Sequence, residues 1–175
     1  MTMLLQILAH TPRWVFVLFF ALLVLGAKQL SARQATLRRV TVLPLAMVGL
    51  SFYGVVSAFA SQPLALLAWA TGAAASALLL LRRPVPAGTA YDAAARSFSL
   101  PGSALPLALM MGIFFTKYAV GASLAISPAL AEVSGFALAA SGLYGVFSGL
   151  FLGRAARLWQ LAANAGAGQR AIGAA

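Results

Sequence analysis

Between Val40 and Leu81 the chain reads VTVLPLAMVGLSFYGVVSAFASQPLALLAWATGAAASALLLL, without a single charge. As one helix this stretch would reach roughly 63 Å, about twice the hydrocarbon thickness of a bilayer. It must therefore fold back on itself. The one polar break, Ser61-Gln62-Pro63, sets the place, because proline suits the first position of a returning helix. The stretch predicts two membrane-spanning helices, 40–60 and 63–81. Pro44 falls in the first turns of the former, where its missing N–H does little harm.

Composition leads to the same class. Of the whole chain 62% is hydrophobic and 8% charged, against about a quarter charged in soluble domains. So few polar side chains would leave a soluble fold without a polar surface, so lipid is the expected solvent. The net charge of +10 does not form a basic face with interleaved aromatics; it sits in bursts between apolar runs. That is the pattern of orientation signals rather than of nucleic-acid binding, and no nucleic-acid partner is expected. The chain has no cysteine, which removes disulfides, thiolate catalysis, Fe–S clusters and thiolate zinc sites.

Outward from the central stretch, three more spans are expected. Thr11 and Pro12 read as a cap and a first helical residue, opening a helix over 12–30 that is flanked by Arg13 and Lys28. No small-x-small cleavage site with a polar mature region follows it, so this segment reads as a retained anchor and not a signal peptide. Met1 to His10 is apolar but short, and is expected to lie along the membrane surface. A fourth span covers 105–127, stopped by Pro128, and a fifth covers 133–153, closed by Arg154 and Arg157. The polar stretch from Thr89 to Ser103 alternates around Ser97-Phe98-Ser99-Leu100 and ends in Pro101-Gly102, predicting a short strand or hairpin before the fourth span. Residues 1–161 make a single transmembrane domain in this reading, and the Ala/Gly-rich 162–175 a flexible tail.

The expected fold class is thus all-α: an integral membrane helical bundle of five transmembrane helices, N-terminus outside and C-terminus in the cytoplasm. With the loop after the first span inside, every lysine and arginine except Arg13 and Lys117 falls on the cytoplasmic side. A four- or six-helix arrangement would strand arginine clusters on the wrong side. Trp14 and Trp159 suit the two interfaces.

Small residues recur at four-residue spacing as Ser141, Gly145, Gly149 and Gly153 in the fifth span. The fourth carries Ala108, Gly112, Thr116, Ala119 and Ser123, and the third Gly72 and Ser76. Such stripes let backbones approach closely. Packing within the bundle is the plainer expectation, and a dedicated dimer interface the alternative.

Candidates for chemistry are few. Lys117 stands near the middle of the fourth span, where an ammonium is unfavourable by at least about 2.5 kcal/mol. Helix arithmetic places Tyr53, Thr71, Ser141 and Tyr144 at similar depth, so a polar midplane cluster with Lys117 is expected. Three readings compete for this lysine: it snorkels to the outer surface, it ties helices together as a hydrogen-bond donor, or it lines a path for a solute or anion. His10, Arg13 and Glu132 are expected near the outer face, most simply as interfacial residues. Asp92 with Tyr91 and Arg96 reads as a turn with a local ion pair. One histidine and two carboxylates on opposite sides offer no catalytic, cofactor or metal constellation, so neither an enzyme nor a cofactor is expected.

Three runs, HTPRWVFVLFFALLVLG (10–26), VTVLPLAMVGLSFYGVVSAF (40–59) and YDAAARSFSLPGSALPLALMMGIFFTKYAVG (91–121), resemble a family of small proteobacterial membrane proteins described only as a domain of unknown function. The resemblance extends through the fifth span and leaves out the tail. It implies a bacterial inner-membrane location and several spans, and supplies no activity. The expected function is a non-enzymatic accessory or scaffold subunit, in a homo-oligomer or with another membrane protein. The alternative is a small-solute or ion transporter or channel with Lys117 near its pathway.

Overall fold

The computed structural model describes residues 11–173, with side chains through Ala165. The expected surface segment and His10 lie outside the described residues. The described residues are mostly helical, with five helices among them: α1 (Arg13–Ala27), α2 (Leu37–Ala58), α3 (Pro63–Leu81), α4 (Leu105–Ile126) and α5 (Ser134–Gly173). Four of them, α2 to α5, are long and apolar enough to cross a membrane, while α1 is a shorter apolar helix of 15 residues. A short 3-10 helix, Pro128–Glu132, precedes α5. Two compact units make up the chain: residues up to Ser31 with Gly102–Leu130, and Ala32–Pro101 with Ala131 onward.

In the first unit, α1 and α4 run antiparallel. Phe19 meets Phe114 at 5.4 Å between ring centroids, and Phe114 stacks on Tyr118. Pro12, not Thr11, takes the N-cap position of α1, and its carbonyl accepts from Val15 N at 3.0 Å. The Thr11 hydroxyl is bonded instead to the Tyr118 hydroxyl. Past the other end of α1, Ser103 N donates to the Gln29 carbonyl at 3.0 Å. Gly102 lies so near that a Cβ there would come within 1.9 Å of the Leu30 carbonyl oxygen.

The second unit holds α2, α3, α5 and a three-stranded antiparallel sheet, ordered β1 (Arg33–Thr36), β3 (Ser97–Leu100), β2 (Ala90–Asp92). The uncharged stretch turns back at Phe59–Gln62, and Pro63 opens α3 as the residue pattern predicted. The hairpin around Ser97–Leu100 is present. Asp92 makes its turn by accepting from Ala94 N at 2.9 Å and Ala95 N at 3.1 Å, with Arg96 at a positive φ of 48°. The hairpin acquires a strand the residue pattern had not indicated, β1, which runs straight into α2. Thr36 caps that helix through Arg39 N. Phe98 is fully buried and packs with Ala35, Leu100 and Leu158.

The fifth helix differs most from expectation. It does not stop at Gly153 but continues through Arg154 and Arg157 to Gly173. Leu158, Leu161 and Ala162 on this extension pack against the sheet. The extra turns therefore have an apolar surface of their own to cover.

Candidate functional site

The helices α3 and α5 meet along the predicted stripe of small residues. A Cβ on Gly145 would stand 2.0 Å from the Trp69 carbonyl oxygen, and one on Gly149 would stand 2.1 Å from that of Ala73. At Gly153 the nearest atom is the Ala77 carbonyl oxygen at 3.0 Å. Partners rise together in number on both helices, so α3 and α5 are parallel. The stripe is used within the chain, to bring two backbones into contact. Gly112, on α4, belongs to the first unit and is half-buried.

Hydroxyls and an indole close this seam. Trp69 Nε1 donates to Ser51 Oγ at 3.0 Å, and Ser51 Oγ donates to the Tyr144 carbonyl at 3.2 Å. Ser148 reaches the same carbonyl at 2.9 Å, and Ser76 spans from α3 to the Val146 carbonyl at 2.9 Å. Each of these three hydroxyls thereby serves a backbone oxygen. Ser141, fully buried, has no hydrogen-bond partner for Oγ.

The residues singled out by depth are placed as follows. Ser141 and Tyr144 are buried on α5 in the second unit. Tyr53, on α2, is 70% exposed. Thr71, on α3, is exposed and donates to the Leu67 and Ala68 carbonyls of its own helix. Within the second unit the polar seam runs through Ser51, Trp69 and Ser76. Lys117 is exposed on α4 in the first unit. Glu132 joins the α2–α3 turn: its carboxylate accepts from Ser61 at 3.3 Å and its carbonyl from Gln62 Nε2 at 3.0 Å.

The seam ends in a residue that attracted attention only as a helix stop. Arg157 lies four positions past Gly153, on the same stripe, and is buried with 8% exposed. Its Nη1 donates to the carbonyls of Arg83 at 3.3 Å and Pro84 at 2.8 Å, just beyond the end of α3. Its Nε is buried with no partner. An N–H in that state is unfavourable by about 1–3 kcal/mol, more when charged. The four-residue spacing that exposed the glycine stripe would have found Arg157 had it been followed one step further. On the neighbouring face, Arg154 precedes Leu158 by one helical turn, and β1 brings Arg33 to the same place.

Comparison with known proteins adds a family. The model of a family of unknown function matches residues 1–169. The chain belongs to that family, DUF6622. No curated protein and no solved structure matches the chain. Membership of DUF6622 therefore ties the two units and the α3–α5 seam to one family, while bringing no activity with it.

Proposed function

We propose that this DUF6622 protein is a multi-pass protein of the bacterial inner membrane that acts without catalysis, as an accessory or scaffold subunit in a homo-oligomer or beside another membrane protein. The observation that carries this reading is the α3–α5 seam. Ser51, Ser76 and Ser148 serve backbone carbonyls and the glycines bring backbone onto backbone, which favours a packed element over a conduit. Apolar side chains facing outward, such as Leu67, Leu78 and Leu79, offer surface to lipid or to a partner.

An N-terminus outside rests on the placement of the lysines and arginines, and five crossings are compatible with the helix pairings. Parallel packing of α3 and α5 gives those two the same direction of crossing, and the chain between them includes α4, an apolar helix of spanning length. The antiparallel pairing of α1 with α4 suits a fifth crossing. At 1.5 Å per residue α1 reaches only about 22 Å, and Arg13 and Lys28 at its ends can extend outward to the headgroups. Crosslinking in cells followed by sizing in mild detergent tests the assembly. A defined oligomer or a recovered membrane partner is expected, and a strictly monomeric chain with no crosslinked partner would overturn the proposal.

A transport reading rests on Lys117, a cation near the middle of an apolar helix. Replacing Lys117→Met in a flux assay separates the two: lost flux favours a pathway, and unchanged flux removes that version.

A further inference from the structure

We propose that Arg33, Arg154 and Arg157 form a binding site for a phosphate-bearing anion, where the three-stranded sheet covers α5. The site rests on the geometry of the second unit and not on the scaffold reading.

Periodicity on two elements brings the side chains together. Successive strand residues alternate in face, so Arg33 shares the face of Ala35, which packs against Leu158 of α5. Register strengthens this, since Arg33 pairs with Leu100, another member of the same buried cluster. On α5, Arg154 lies one turn before Leu158 and therefore on its stripe. Arg33 and Arg157 both act electrostatically on Arg154, and Arg39 acts on Arg33. Burial first, and Arg39 second, push the Arg33 guanidinium below its ordinary value.

Nothing acidic offsets these charges among the described residues. Asp92 sits at the other end of the hairpin, opposite Ser97, and its Oδ1 is occupied by the Ala94 and Ala95 amides. Glu132 belongs to the opposite end of α5, bonded to the α2–α3 turn. Arginines that converge, half-buried, without a carboxylate repel one another unless an anion joins them. Guanidinium groups grip phosphate oxygens with paired N–H bonds, and Arg157 Nε is a buried donor still without an acceptor. A phospholipid headgroup and free phosphate share that chemistry, and basic pockets between membrane helices hold anionic headgroups.

The test is thermal unfolding of the delipidated full chain in mild detergent, with inorganic phosphate, phosphatidylglycerol or zwitterionic phosphatidylcholine added in turn. Phosphate or phosphatidylglycerol should raise the midpoint, and phosphatidylcholine should not. In Arg154→Gln and Arg33→Gln the concentration giving half the effect should rise about tenfold. Arg82→Gln removes the same charge from an exposed position and should leave it unchanged. A response to phosphatidylglycerol alone assigns the site to a lipid headgroup, a response to inorganic phosphate alone assigns it to a free anion, and a response to both shows that it accepts either. Without added anion, Arg154→Gln should unfold at a higher temperature than the parent, because repulsion is relieved. No response in either anionic arm, an equal loss in Arg82→Gln, or an Arg154→Gln chain less stable without anion would each overturn the proposal.

Discussion

Arg157 and the glycines before it share one helical stripe and differ in what they meet. Gly145 and Gly149 face carbonyl oxygens of α3 at distances no Cβ tolerates, and Arg157 faces the carbonyls just past that helix's end. Gly149→Ala should therefore force α3 and α5 apart and lower stability by about 1–3 kcal/mol. Gly121→Ala, where nothing lies within 4 Å of the added carbon, should be neutral or stabilising by up to about 1 kcal/mol. Unfolding of the two variants in mixed micelles compares them directly; equal stability would mean the seam yields to an extra methyl group. At this scale the residue pattern reveals the small residues but not the groups they meet. Spacing alone reports which side chains share a face. It does not report which carbonyl waits opposite, so Ser51 and Trp69 went unremarked while Tyr53 and Thr71 were singled out on depth alone.

Among the elements, the return of the uncharged stretch at Ser61–Pro63 was legible because its polar break and its proline coincide. The sheet was only half legible. Ser97-Phe98-Ser99-Leu100 alternates and so announces a strand, whereas Arg33-Gln34-Ala35-Thr36 carries one buried side chain, and its partner lies more than sixty residues away. The end of α5 was misplaced for a related reason. Arg154 and Arg157 read as a terminus until the sheet supplies Leu158 with something to cover. If Phe98 holds these pieces together, Phe98→Ala should remove about 3–5 kcal/mol. It should also raise hydrogen exchange at the Leu37 amide, which donates to the hairpin carbonyl of Arg96 at 3.1 Å. Exchange confined to the hairpin tip would show that the sheet is not anchored on Phe98.

For the whole molecule, four of the described helices are long and apolar enough to cross a membrane and α1 is shorter, so the number and direction of crossings are the next things to measure. The absence of cysteine makes this simple, since any introduced thiol is unique. Arg38→Cys and Arg83→Cys should both be labelled by a membrane-impermeant reagent only after the cytoplasmic side is opened. Labelling of the two from opposite sides would overturn the proposed five-crossing topology, along with the reading of arginines as markers of the cytoplasmic leaflet.

The parallel pairing of α3 with α5 also sets an order of events during synthesis. At about 5–20 residues per second, roughly 3–13 s separate the emergence of Leu81 from that of Gly145. Through that interval the Trp69, Ala73 and Ala77 face of α3 lacks the helix that will cover it. Ribosome-stalled chains ending before Ser134 should accordingly remain open to quality-control proteases, and chains extended past Gly153 should escape them.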